Sequence, residues 1–308
     1  MECVIMPTNK HLPRLFVFLV LSLSAMGSLF LLSLERTKWD VAPFYTLGNH
    51  DPGASCHIPP LNDMEEFFQY FERDDGVCND KVIVGGLGPD GEDNTGGKYV
   101  CIDEPFKFRA ANCNVLSFGI AKDFSFDDQV ETYGCKVLAF DPTNNLPSHQ
   151  RSPGIQFFNW GLGGFRGLNT IEGWALAKVE SYYGILETFG LLETEIDYLK
   201  MDIETHELEF FKDIFHNYPQ LLNNVKQIGM EIHPTAYSDQ DLAFSDFLME
   251  FWAALHRMQC HGFLLADVAP NPVKETFFRW RGKERYCCYE ILWINKKYME
   301  EYNNNKSN

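Results

Sequence analysis

The chain has 308 residues, of which 45% are apolar and 22% charged, enough for a buried core and too apolar for a disordered chain. Lys and Arg number 26 against 43 Asp and Glu, a net charge of −17, which excludes nucleic acid as a main partner because a phosphate backbone needs clustered cations. No heptad, collagen period or 20–50-residue repeat is present, which excludes coiled coils, collagen and solenoids.

Residues 15–34 carry no charge over 20 positions. A helix of that length spans ~30 Å, the hydrocarbon thickness of a bilayer. Lys10 and Arg14 precede it. Their side of the span is expected in the cytosol, so 1–14 reads as a cytosolic tail and 15–34 as a transmembrane signal-anchor. This is a single-pass type II arrangement in the secretory pathway, Golgi or ER, with membrane contact through the N-terminal helix. The competing reading is a signal peptide cut after Gly27, which would secrete the protein. In either case eight cysteines follow the segment in an oxidising compartment, so disulfides are expected. Cys113 and Cys135 each lie two residues before the apolar start of an expected parallel strand. Neighbouring strands run ~4.8 Å apart, within disulfide reach if the registers match. Cys101–Cys113 is the competing pair, and the vicinal Cys287 and Cys288 should not join each other. The cysteines and histidines show no spacing for a metal. Asn305-Lys306-Ser307 is a weak glycosylation signal.

Residues 35–60 contain four prolines and little periodicity and read as a stem. The run 61–73 predicts a helix with Asn62 as N-cap and Glu65 as its capping-box partner. Residues 85–97 hold six glycines and predict a loop. Its Gly86–Gly91 stretch matches the dinucleotide fingerprint in letters only. No helix opens there, and Asp90, Glu92 and Asp93 would repel a pyrophosphate. Strand-like runs follow at 115–120, 136–141, 155–160, 197–203, 225–232, 262–268 and 286–295. Helical runs lie at 124–133, 172–189, 205–217 and 239–258. Several strands lack polar alternation, as strands covered on both faces do. The alternation predicts an α/β fold with a mostly parallel sheet, one domain over 61–300, and a disordered tail at 301–308.

A ligand site is predicted at 115–143. A strand ends on Gly119, a helix follows, and a second strand ends on Asp141, where a carboxylate can accept both hydroxyls of a ribose. The alternative is a solvent-facing Asp in an Asp-Pro turn. Asp202 and Glu204 lie two apart and share one side of a strand. His233 follows the run MEI; its ordinary pKa near neutrality makes it the candidate general base, with a structural role as the alternative.

The segments SFGIAKDFSFDDQV, KVLAFDPT, GLGG, DYLKMDIETHELEFF, IGMEIH and CCYEILWIN, with the lead-in GGKYVC, resemble the FkbM-type S-adenosylmethionine methyltransferases over roughly 80–301. The resemblance implies a Rossmann-like seven-stranded sheet with helices on both faces and an antiparallel last strand. It implies S-adenosyl-L-methionine as cofactor. Phe118 and Gly119 would line its methionine side, Asp141 would bind its ribose, and Gly161, Leu162 and Gly163 would lie near its adenine. Asp202 and Glu204 would border the reaction centre. The Gly-x-Gly-x-Gly loop is absent, with Ile120 and Ala121 after Gly119. Family and compartment together imply methylation of a hydroxyl on a small-molecule or glycan acceptor. Two other readings stay open: a degenerate Rossmann module that binds a partner, and a type II glycosyltransferase with Asp202-Ile203-Glu204 as a DxD-like metal site.

Overall fold

The computed structural model describes residues 56–86, 96–110, 112–170, 176–204, 206–234, 246–271, 277–280, 283–286 and 288–307. The expected tail 1–14, the expected anchor 15–34 and the stem up to residue 55 lie outside the described residues, as do 87–95 of the glycine-rich loop and Cys287. Among the described residues no helix is long and apolar enough to cross a membrane.

The first helix, α1 (Met64–Gln69), is capped by Asp63 and not Asn62: the Asp63 carboxylate accepts from Glu66 N at 2.9 Å. Glu66 in turn accepts from Asn62 N at 2.9 Å. The cap is therefore shifted by one residue, with the return bond from Glu66 made to the residue before the cap, and Met64, Phe67 and Phe68 turn inward. A hairpin of β1 (Lys81–Val84) and β2 (Lys98–Cys101) follows. Then come β3 (Asn114–Phe118), α2 (Ser125–Thr132), β4 (Lys136–Phe140), the two-residue β5 (His149–Gln150) and β6 (Ile155–Phe158). A small sheet is built from β7 (Trp160–Leu162), β8 (Gly167–Thr170) and β9 (Leu176–Glu180). After it lie α3 (Tyr182–Thr188), β10 (Ile196–Met201), α4 (Glu207–Asn217), β11 (Val225–Ile232), α5 (Asp246–Cys260) and β12 (Phe263–Pro270). A second hairpin, β13 (Phe277–Trp280) with β14 (Lys283–Tyr286), precedes β15 (Tyr289–Asn295) and α6 (Lys296–Ser307).

The central sheet runs β12-β15-β11-β10-β3-β4-β6-β5. The pairs β11–β10, β10–β3, β3–β4 and β4–β6 are parallel, and β15 is antiparallel to both its neighbours. This is the predicted α/β sheet with its antiparallel last strand. It has eight strands and not seven, because a turn at Ser152–Ile155 folds His149–Gln150 back along β6. Every residue of β10 and β11 is buried, which explains their lack of alternation. One sheet face packs on α1, α3, α4 and α5 through Phe67, Ile185, Phe211, Phe251 and Leu199. The other packs on the β1–β2 hairpin, α2 and α6 through Val100, Phe126, Tyr198 and Tyr298.

Two expected elements differ. Of the helix expected at 172–189, residues 172–175 lie outside the described residues; among the rest Tyr182–Thr188 is helical, while Leu176–Glu180 is extended and sits between β7 and β8, and the helix opens at Ser181, whose Oγ accepts from Gly184 N at 3.1 Å. The tail expected to be disordered continues α6 to Ser307. Lys296 pairs with Glu300 at 3.0 Å and Lys306 sits 4.6 Å over the Tyr302 ring, both one turn apart. The end of the stem is also attached to the domain: Cys56 is joined to Cys260, and Trp252 Nε1 donates to Pro59 O at 2.7 Å.

Cys113 and Cys135 form a disulfide with their Cα atoms 4.4 Å apart. The register makes it: Asn114 pairs with Lys136, and Lys136 N donates to Cys113 O at 2.8 Å. Cys101 is joined to Cys78 instead of competing for Cys113. The double variant Cys113→Ala/Cys135→Ala opens a loop of sequence separation 22. It should lower the unfolding free energy by about 3 kcal/mol, read from urea unfolding of the oxidised proteins.

Candidate functional site

The carboxyl ends of β3, β4, β10 and β11 form the crevice where open α/β sheets bind ligands. Gly119 closes β3 with φ +75°, and an added Cβ would lie 1.5 Å from Asp202 O. Gly119 N donates to Phe140 O and Asp202 N to Phe118 O, both at 3.0 Å, so three strand ends meet here. Lys200 Nζ donates to Gly119 O at 2.7 Å. The Phe118 ring is fully buried and stacks on Phe140 at 4.9 Å in the core.

Asp141 is buried at the end of β4. Its Oδ2 accepts from Ile120 N at 2.8 Å and Ala121 N at 2.6 Å; its Oδ1 accepts from Thr143 N at 2.5 Å and Thr143 Oγ1 at 2.6 Å. A carboxylate offers about four acceptor positions, so the chain itself occupies those expected to meet a ribose. Asp141 thereby clamps Ala121, a non-glycine residue at φ 47°. Asp141→Ala should cost about 2–3 kcal/mol of stability by stranding these donors, and Asp141→Asn less because its carbonyl still accepts. Urea unfolding of the two variants checks the order.

The segment expected beside an adenine lies in the small sheet. Gly161 and Leu162 pair with β9, Leu162 enters the core, and Gly163 N donates to Glu180 O at 3.1 Å. A Cβ on Gly163 would meet Val179 Cγ1 at 2.7 Å, so this glycine serves close packing.

Asp202, Glu204 and His233 do come together. One ligand atom from each lies within 4.8 Å of the others. Around them gather Lys98, Glu207, Glu231 and Glu290, none of which the sequence reading singled out, although all but Glu207 sit one to three residues from an end of a quoted segment. Lys98 Nζ lies 2.7 Å from Glu290 Oε1, 3.5 Å from Asp202 Oδ2 and 3.9 Å from Glu231 Oε2. Glu231 and Glu290 are register partners across β11 and β15. Asn271 Nδ2 donates to Glu231 Oε1 at 2.8 Å. His233 Nδ1 lies 2.9 Å from Oε1 of the fully buried Glu207; its Nε2 lies 3.5 Å from Glu204 Oε2 and 3.8 Å from Glu231 Oε1.

The electrostatics follow from burial and from an excess of acid. Five carboxyl groups (Asp202, Glu204, Glu207, Glu231, Glu290) share the cluster with Lys98, Lys200 and His233. Burial lifts Glu231 well above the usual carboxyl range, and the nearby Asp202 and Glu290 add to it. Burial also raises Glu290 and Glu204. Asp202 is held low, since Lys98, Lys200 and His233 together outweigh its own burial. Burial alone would lower His233, but Glu207, Glu231 and Asp202 lift it to about 10. That acidic setting favours the protonated ring, which is opposite to what the expected general-base role asks of it. Glu204, half-exposed and at φ 46°, is the carboxylate that reaches solvent. One oxygen each of Glu207 and Glu290 is buried with no hydrogen-bond partner among the described residues. A separate groove of about 330 Å³ between α3 and α4, lined by Arg166, Tyr183 and Asp213, shares no residue with this cluster.

Among curated proteins nothing matches the chain. Among solved structures, the chain is similar to Sp1610 of Streptococcus pneumoniae, assigned as a tRNA (m1A22) methyltransferase and solved with S-adenosyl-L-methionine. The identity is 14% and the TM-score 0.30, over 62% of this chain and 69% of that one. It is also similar to the Methanococcus jannaschii fibrillarin pre-rRNA processing protein, at 12% identity and TM-score 0.34, over 62% and 69%. A human methyltransferase 10 domain containing protein is similar at 12% identity and TM-score 0.28, over 63% and 76%. A sequence model of the family described as "Methyltransferase domain" matches residues 48–272, so the chain belongs to that methyltransferase family.

Proposed function

We propose that the chain is an S-adenosyl-L-methionine-dependent methyltransferase that transfers the methyl group to a hydroxyl of a small-molecule or glycan acceptor. One observation carries this reading: an acid-rich, largely buried cluster with unpartnered carboxylate oxygens lies at the carboxyl ends of the parallel strands. That surplus of buried acceptors fits a donor that carries a sulfonium and an ammonium. Asp202, Glu290 and Glu231 would face those charges, and Gly119 keeps the approach over β3 free of a side chain. S-adenosyl-L-methionine supplies an activated methyl group, and the chain must place an acceptor oxygen about 3 Å from it, in line with the breaking bond. Glu204, half-exposed at the rim, is the side chain placed to meet an acceptor hydroxyl. Kinship with the FkbM type rests on the SFGI and LKMDIE segments. The same reading places the domain in the secretory lumen, supported by the disulfides Cys56–Cys260, Cys78–Cys101 and Cys113–Cys135 and by the charges before residue 15.

Calorimetric titration of the purified domain with S-adenosyl-L-methionine and S-adenosylhomocysteine tests the cofactor. Saturable binding of both is expected, and binding of neither refutes the proposal. Protease protection of a C-terminal tag in microsomes tests the compartment; digestion without detergent would overturn it.

A further inference from the structure

An acceptor hydroxyl presents a chemical difficulty that the cluster must answer. An alcohol, like water, gives up its proton only far above neutral pH, whereas a glutamate takes one up near ~4.3. A lone carboxylate is therefore a weak base toward it. Stabilising the developing alkoxide eases the step, and a bound divalent cation is one means.

We infer that Asp202, Glu204 and His233 form a divalent-cation site. Their ligand atoms lie within 4.8 Å of one another, so small closures bring them to the ~2.0–2.2 Å bond lengths of such an ion. Two features separate this from a plain acidic cluster. First, the His233 ring is 5% exposed, and its Nε2 makes no hydrogen bond among the described residues while facing Glu204 Oε2 at 3.5 Å and Glu231 Oε1 at 3.8 Å. One nitrogen of a buried ring thus faces carboxylate oxygens across a gap wider than a normal hydrogen bond. Second, its other nitrogen is 2.9 Å from Glu207, a carboxylate with no exposed surface. A carboxylate that fixes the far nitrogen of an imidazole is the usual support of a metal-ligating histidine. Asn271 donates to Glu231 Oε1 and Lys98 to Glu290 Oε1, so each of these carboxylates has one oxygen committed beside the site.

Two carboxylate oxygens and one imidazole suit Mn²⁺ or Zn²⁺ better than a soft-metal set would. Three protein ligands leave coordination positions for the acceptor. On the methyltransferase reading, on which this use of the site rests, an acceptor hydroxyl bound there loses its proton to solvent. Its oxygen forms a bond to the methyl carbon as the carbon–sulfur bond breaks, giving a methyl ether and S-adenosylhomocysteine. An ion on Nε2 takes the place of a ring proton, so uptake should release protons.

The test uses the purified full-length protein stripped with EDTA and titrated with MnCl₂, read by the loss of the free-ion spin-resonance signal, with ZnCl₂ in a parallel calorimetric arm. One ion per chain is expected. Glu204→Gln should weaken uptake at least tenfold; its half-exposed side chain makes it a variant that folds. His233→Gln should do the same, with near-native circular dichroism as the control. S-adenosylhomocysteine binding is measured alongside in EDTA. If S-adenosylhomocysteine binds but neither ion does, the cation site is overturned and the methyltransferase reading stands; if Glu204→Gln takes up the ions like wild type, the cation site is overturned and S-adenosylhomocysteine binding alone decides the methyltransferase reading. If uptake depends on Glu204 and S-adenosylhomocysteine does not bind, the site stands and the methyltransferase reading falls.

Discussion

Gly119→Ala is expected to cost about 4 kcal/mol or more of folding free energy, enough to unfold much of a domain of ordinary stability. Two effects add. At φ +75° a Cβ costs about 1–2 kcal/mol in backbone conformation alone. The new carbon would also lie 1.5 Å from the Asp202 carbonyl oxygen, and that obstacle is backbone, so no rotamer change relieves it. Relief requires β3 and β10 to part, which breaks the bond from Asp202 N to Phe118 O. Gly190 and Gly76 provide the comparison. They also have positive φ, +68° and +65°, but nothing lies within 4 Å of an added Cβ. Their alanine variants should cost only the conformational term. Urea unfolding of the three variants is decisive: if Gly119→Ala behaves like Gly190→Ala, the close contact between the strand ends is wrong.

Lys98→Met should be nearly as damaging, at about 3–5 kcal/mol, because it removes one partner of a buried charge cluster and leaves the rest. Methionine fills most of the lysine stem's space, so lost packing contributes little. The loss comes from Asp202, Glu231 and Glu290, which face the ammonium at 3.5, 3.9 and 2.7 Å. Burial already raises Glu231 and Glu290 above the ordinary glutamate value, and removal of the cation raises them further. A carboxyl whose folded pKa is raised favours the fold below its unfolded pKa and loses that contribution as pH rises through the folded value. The lysine itself is held charged above its ordinary range, since the three carboxylates outweigh its burial, so the wild type keeps this pairing throughout neutral pH. The variant should therefore be closer to wild type at pH 5 than at pH 7.5. Denaturant unfolding at the two pH values measures it, and an equal loss at both would show that charge is not the cause.

The periodicity of the chain by itself determined the strand–helix alternation, the doubly buried strands Ile196–Met201 and Val225–Ile232, and the turn at Gly119. It also put Cys113 within reach of Cys135, since each precedes its strand by the same interval, but left Cys101 as a competing partner until the strand register decided the pair. These are properties of neighbours along the chain or of adjacent strands, where apolar spacing reports burial directly. Local spacing misread Leu176–Glu180, because its extended state depends on pairing with β7 and β8 and not on its own propensity. The fate of the Asp141 carboxylate was equally hidden. Spacing sets it at a strand end, but only the path of the loop shows that Ile120, Ala121 and Thr143 take its oxygens. The charge cluster lies furthest from what a linear reading reaches. Lys98 and Glu290 are 192 residues apart, and they meet because a hairpin lies over the sheet and the last strand runs antiparallel beside β11. Sequence shows which side chains carry charge; the order of the strands decides which of them must share one buried space, and that proximity, through Coulomb interaction at low dielectric, sets how each one titrates.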